Sequence, residues 1–222
     1  SKFLCFEDLL HPRLGLEPAL GWPLAGRTML FDVRRHEWSP AILDAIGLPA
    51  SKLARPLAAG TIAGTTRDGL RVVTGGHDQP CGALGAGVTQ SGTAMYATGS
   101  VECITPAFAA PVFTAELRQS NLCTYDHTAP GLYATVAFSL TGGNLLKWFR
   151  DEFAPGQAYA DLLKTAAPAP TNLRVLPYWT PSGTPYFDVE TPGAILGLRL
   201  STTRGEILRA LLEGVAFEMR LN

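Results

Sequence analysis

Asp78 is the residue whose neighbours best equip it for chemistry. It lies in Gly75-Gly76-His77-Asp78-Gln79, after the apolar run Leu70–Thr74 and before the small-residue run Gln79–Gly87. A strand that ends in two glycines, followed by a helix that opens at an acidic residue, lets a ligand come close to the backbone. A helix N-terminus favours the ionised carboxylate. Such a carboxylate can accept the hydrogen bond of an alcohol and orient it as a nucleophile. A purely structural reading is equally strong on these residues alone, because Asp is a favoured helix cap. The two roles are compatible in one side chain.

Thr98-Gly99-Ser100 is the second candidate. Hydroxyls flanking a glycine in a turn can offer O–H and N–H groups to a phosphate, although ordinary turns of this composition are more common. Gly82–Gly87 lacks the G-x-G-x-x-G spacing and the acidic residue about 20 positions on that a dinucleotide site needs. No G-x-x-x-x-G-K-[ST] occurs. Close packing of small residues is the better account of that run. His11, His36 and His127 read as surface or satisfied core histidines, and His77 as a hydrogen-bonding neighbour of Asp78. Trp148, Phe149 and Phe153, at helical spacing, read as core. Cys5, Cys81, Cys103 and Cys123 contain no C-x-x-C pair, so neither a zinc site nor a disulfide framework is indicated. No metal ligands are assigned, and reduced thiols in a cytoplasm are the expectation.

The elements that must position these residues follow from the punctuation. Ser39-Pro40 before Ala41–Ile46, with Gly47 after, predicts a short helix. Leu70–Thr74 reads as a short buried strand, Gln79–Gly87 as a helix or loop, and Ala94–Ile104 as two strands meeting at the polar turn. Leu132–Leu140 is expected to be a strand, followed by Thr141-Gly142-Gly143 and a helix from Asn144 to Phe153. Asn172–Trp179 and Gly193–Leu198 are expected strands around a loop rich in Pro and Gly. Thr203-Arg204-Gly205-Glu206 has capping-box spacing. Ile207, Leu211 and Val215 then mark the apolar face of an amphipathic helix. Strands alternating with helices and glycine turns give an α/β class.

Of the 222 residues, 46% are hydrophobic and only 17% charged, with a net charge of −1. A sizeable core is expected, and no basic field for nucleic acid or a membrane surface is present. No apolar run approaches the length of about 18 residues needed to cross a membrane. The chain starts at Ser1 without Met and stops at Asn222 inside a helical pattern, so a piece of a longer protein is the expectation.

Taken in order, these segments resemble the FGGY carbohydrate kinases. The resemblance rests on GGHDQPCGALGAG (Gly75–Gly87), AMYATGSVECI (Ala94–Ile104), SLTGGNLLKWFRDEF (Ser139–Phe153), LPYWTPSGTPYFD (Leu176–Asp188) and the stretch Gly193–Arg220, with Trp38–Pro49 upstream. It implies an actin-like ATPase, ribonuclease-H-like fold. Residues 1–68 would be the end of a first, sugar-binding domain and 69–222 most of a second, nucleotide-binding domain. It further implies ATP and Mg2+ as cofactors, a sugar or polyol as substrate, a cytoplasmic location and a homodimer. Asp78 would take the proton of the sugar hydroxyl, with Gln79 and His77 at the substrate and Thr98, Gly99 and Ser100 at the γ-phosphate. Departures from the family pattern occur at Ala97, where Gly is usual, and at Pro181-Ser182-Gly183, where Gly-Glu-Arg is usual. An actin-like relative that binds sugar or nucleotide without turnover is the alternative they leave open.

Overall fold

The computed structural model describes all residues, 1–222, and divides them into two compact units. The first comprises Ser1–Met95, Thr105–Leu117 and Cys123–Val136; the second comprises Tyr96–Ile104, Arg118–Leu122 and Ala137–Asn222.

The first unit opens with α1 (Phe6–Arg13), β1 (Ala19–Gly21), α2 (Trp22–Ala25), β2 (Phe31–Asp32), β3 (Glu37–Trp38), α3 (Pro40–Ile46) and β4 (Arg55–Leu57). β1 and β4 pair in parallel with Ala19 opposite Arg55, and β2 and β3 form an antiparallel ribbon with Phe31 opposite Trp38. Their apolar faces meet in a core of Leu20, Ala25, Phe31, Val33 and Ala54, with Trp22 and Trp38 packed against it. The helix expected after Ser39 is α3, and it ends on Gly47 in the left-handed conformation, where a side chain would be strained. The Ser39 side chain itself makes no capping bond.

Next come β5 (Ile62–Thr65), β6 (Arg71–Val73) and α4 (Asp78–Gly85). The strand read as buried over Leu70–Thr74 is buried only in part: β6 pairs only with β5, Leu70 and Val73 face solvent at 60% and 50% exposure, Val72 is half-buried and Thr74 is buried. A two-stranded ribbon covered on part of one face, where Leu16 packs on Gly64, leaves its other apolar positions to solvent. β7 (Ala94–Thr98) pairs with β8 (Glu102–Phe108), and α5 (Ala115–Gln119) and β9 (Tyr125–Asp126) follow. In the first unit, β10 (Tyr133–Ala134) runs antiparallel to both β9 and the second half of β8.

In the second unit, β11 (Ala137–Ser139) runs antiparallel to the first half of β8, with Phe138 opposite Cys103. The single strand expected over Leu132–Leu140 is therefore two short ones. The break falls at Thr135–Val136, where the chain leaves one unit for the other. α6 (Gly143–Phe153), α7 (Tyr159–Lys164), β12 (Arg174–Leu176), β13 (Ala194–Leu196) and α8 (Arg204–Leu221) complete the unit. β12 and β13 form an antiparallel ribbon, Val175 opposite Ile195. Leu145, Phe149, Ala154, Leu162, Leu208 and Leu211 form the core where α6, α7 and α8 meet. α8 starts with a complete capping box: the Thr203 side chain accepts from Glu206 N, and the Glu206 carboxylate accepts from Thr203 N at 2.7 Å. Phe149 is fully buried as expected of a core residue, whereas Phe153 is half exposed.

Candidate active site

α4 opens at Asp78, with His77 as its N-cap in extended conformation. Asp78 is thus the first helical residue rather than the cap. Its Oδ1 accepts from the adjacent Gln79 N at 2.8 Å and lies 3.3 Å from His77 Nε2. The side chain is 82% exposed. It lines a hollow of about 810 Å3 together with Leu4, Cys5, Glu7, Leu24 and His77. The carboxylate therefore keeps free lone pairs on an open wall.

The turn before it is held from elsewhere in the chain. Glu7 Oε1 accepts from Gly75 N at 3.0 Å and from Gly21 N at 3.2 Å, tying α1 to the end of β1 and to the glycine turn. A Cβ at Gly76 would lie 2.7 Å from Pro23 Cβ, so only glycine lets the turn pack there. His77 meets the Tyr125 ring edge-on at 6.0 Å. Burial pushes the His77 imidazole below its ordinary value; Asp78 opposes the shift and Arg27 adds to it. His77 Nε2 faces Asp78 Oδ1 without forming a hydrogen bond to it. Its Nδ1 and the Oε1 of Gln79 are buried acceptors with no partner in the chain.

Thr98-Gly99-Ser100 is an exposed turn between β7 and β8, closed by Gly99 N donating to Val101 O at 3.1 Å. The N-terminus of α6 grips it. Gly143 N donates to Gly99 O at 2.7 Å and Asn144 N to Ser100 O at 3.2 Å. A Cβ at Gly143 would lie 2.6 Å from Gly99 O, which explains the glycine at this helix start. These bonds consume two of the helix's otherwise orphaned N–H groups. Those two N–H groups are therefore committed to the turn's carbonyls and are not free to meet an anion. Ser100 also lines a hollow of about 340 Å3 with Asn144, Lys147 and Tyr159. Behind the turn, Glu102 is buried at 7% exposure. Burial raises its carboxyl, against the pull of a hydrogen bond with Tyr96, and burial beside Glu102 pushes the Tyr96 hydroxyl up to about 12.

Residues 87–222 match the model of the C-terminal domain of the FGGY family of carbohydrate kinases. The chain belongs to the FGGY family. Among curated FGGY proteins, a xylulose kinase from Lactococcus lactis is 27% identical over 217 residues, covering 88% of this chain and 41% of that protein. A glycerol kinase from Methylibium petroleiphilum is 31% identical over 207 residues, covering 87% of this chain and 41% of that protein. A solved xylulose kinase from Brucella ovis superposes with a TM-score of 0.86 at 25% identity, covering 99% of this chain and 47% of that one. The fold is the actin-like ATPase fold of these FGGY structures. The chain spans about two fifths of the length of the curated relatives it matches.

Within this FGGY chain, His77, Asp78 and Gln79 gather at α4 in the first unit. Thr98, Gly99 and Ser100 form one turn in the second. Two contributors had no signal in the sequence. Glu7 is 68 residues from the Gly75 it holds. Glu102 looks like any strand carboxylate until its burial is seen. At Pro181-Ser182-Gly183, the polar groups are turned to internal use. Ser182 Oγ accepts from Asp188 N at 2.8 Å, and Thr184 Oγ1 accepts from Phe138 N at 2.7 Å.

Proposed function

We propose that the protein carrying this chain is an ATP-dependent carbohydrate kinase that transfers the γ-phosphate of ATP to a hydroxyl of a sugar or polyol, with Asp78 as general base. The observation that carries this reading is the exposed Asp78 carboxylate, fixed at the first turn of α4 on the wall of a hollow. The transition state of phosphoryl transfer is loose, so the base acts mainly by orienting the nucleophile and receiving its proton late. Asp78 accepts the hydrogen bond of the substrate hydroxyl. His77 Nε2 lies 3.3 Å from the carboxylate, and Gln79 follows Asp78 in the same helical turn. The relatives named xylulose kinase make a ketopentose the first substrate to try.

The exposed hydroxyls of Thr98 and Ser100 suit phosphate oxygens, and these two residues with Gly99 would hold the γ-phosphate of ATP. No group of three or more His, Cys, Asp or Glu side chains suited to a metal is present, so Mg2+ would be carried by the nucleotide's phosphates and water. Bound Mg-ATP supplies the phosphoryl group and charge neutralisation. In the same reading residues 1–68 close a sugar-binding domain and 69–222 make up most of a nucleotide-binding domain. A homodimer is part of it, and the sedimentation of the full-length protein reports on that.

The test is Asp78→Asn in the full-length protein, assayed by coupled ADP release. Turnover is expected to fall on the order of 10²–10⁴-fold, the worth of a general base; near wild-type turnover overturns the assignment. The inward commitment of Ser182 and Thr184 favours a second reading, a relative that binds without turnover. Tight sugar binding with no ADP release would establish it.

A further inference from the structure

The turn Thr98–Ser100 is gripped by the stretch that joins β11 to α6, and one side chain closes that stretch on itself. Asn144 Oδ1 accepts from Gly142 N at 2.8 Å, and Asn144 Nδ2 donates to Leu140 O at 2.8 Å. The two bonds fix the orientation of the amide, because a backbone N–H needs an acceptor and a carbonyl needs a donor. The backbone of the same residue points the other way. Asn144 N donates to Ser100 O, beside the bond from Gly143 N to Gly99 O. One residue therefore ties the stretch to itself through its side chain and to the turn through its backbone. All of these groups belong to the second unit.

The neighbours of Asn144 explain why such a tie is needed. Gly142 and Gly143 come close to other chain: a Cβ at Gly142 would lie 2.8 Å from Cγ of the buried Glu102, and one at Gly143 would lie 2.6 Å from Gly99 O. Two successive glycines allow this approach, but glycine loses the most conformational freedom on ordering. Buried Ser139 accepts from Thr141 N at 3.2 Å and restrains the start of the stretch. Asn144 restrains its end. Helix propensity gives no reason for Asn at the second residue of α6, since Ala, Leu or Glu would favour the helix more. Its side chain is spent on the loop and not on the helix.

We propose that Asn144 is a positioning residue for the phosphate contact: by closing the Gly142-Gly143 loop it sets where Thr98, Gly99 and Ser100 present their groups, a role that rests on reading this turn as the holder of the γ-phosphate. A misplacement of about 1 Å in a reacting complex can cost on the order of 10²-fold. The loss expected without the Asn144 side chain is smaller, because the two backbone bonds to the turn remain.

The experiment compares full-length wild type with Asn144→Ala, which removes both side-chain bonds, and Asn144→Leu, which removes them at similar volume. Both substitutions favour the helix. Thr98→Ala combined with Ser100→Ala is the reference for loss of the phosphate contact. Calorimetry gives affinities for the Mg2+ complex of β,γ-imido-ATP, which carries the third phosphate, and for ADP, which lacks it. Urea unfolding gives stability. Both Asn144 variants, like the reference, should lose on the order of tenfold in affinity for the ATP analogue and keep the wild-type affinity for ADP. A residue that served only to hold α6 in place would shift the urea midpoint and leave the ratio of the two affinities unchanged. That result overturns the proposal, as does an equal loss for both nucleotides. A ratio altered in the reference but not in the Asn144 variants overturns the proposal and spares the reading of the turn. A wild-type ratio in the reference, or no binding of either nucleotide to the wild type, overturns that reading and the proposal with it.

Discussion

Glu7 shows how much of a site can depend on a residue that does no chemistry. One of its oxygens holds the backbone N–H groups of Gly21 and Gly75, and the second of those begins the turn that delivers Asp78. Glu7→Ala leaves two partly buried donors unpaired. The expected loss is on the order of 1–3 kcal/mol in urea unfolding of the full-length protein. With Asp78 as the proposed base, turnover should fall as well, because a base acts by orientation. Glu7→Gln retains an acceptor oxygen and should recover most of the stability. Equal stability of Glu7→Ala and wild type would show that the turn is held without it. At this scale the sequence announced Asp78, whose glycines and helix start are local. It was silent on Glu7, whose partners are distant in the chain and share no spacing rule with it.

Elements were legible where their signals are local and obscure where packing decides. The capping box at Thr203 is four residues of pattern, and it forms as the pattern says. Thr203→Ala removes a side-chain acceptor from Glu206 N and should lower stability by about 0.5–2 kcal/mol. The urea midpoint of the variant checks this, and an unchanged midpoint would mean that α8 is fixed by its core contacts alone. Thr203→Ser, which keeps the hydroxyl, should behave as wild type. α6 was legible as a helix, but the purpose of Gly143 was not, because the carbonyl it makes room for belongs to Gly99. α1 went unread. Pro12 in its last turn signals a break, yet the helix forms with Asp8 and His11 buried and His11 Nδ1 accepting from Ala19 N at 2.9 Å. β6 erred the other way. Its apolar run promised burial, and the two-stranded ribbon it joins leaves Leu70 and Val73 exposed.

At the scale of the molecule, the surface and the relatives' lengths point the same way. Phe6, Met29, Val189, Leu200 and Phe217 are all exposed. Contiguous patches of such side chains are what interaction surfaces are made of. Each relative compared is more than twice as long as the stretch it shares with this chain. In the proposed reading Asp78 and the Thr98 turn would supply a base and a phosphate contact, but phosphoryl transfer needs donor and acceptor held in line, and positioning accounts for most of its catalysis. Residues 1–222 alone should therefore show no sugar-dependent ADP release, while the full-length protein shows it under the same conditions. The isolated chain should also bind a dye specific for apolar surface more strongly, and self-associate more readily, than the full-length protein. Sugar-dependent ATP hydrolysis by residues 1–222 at a rate near that of the full-length protein would mean that the Asp78 hollow and the Thr98 turn suffice. In that case the remaining length of the relatives would serve some purpose other than catalysis.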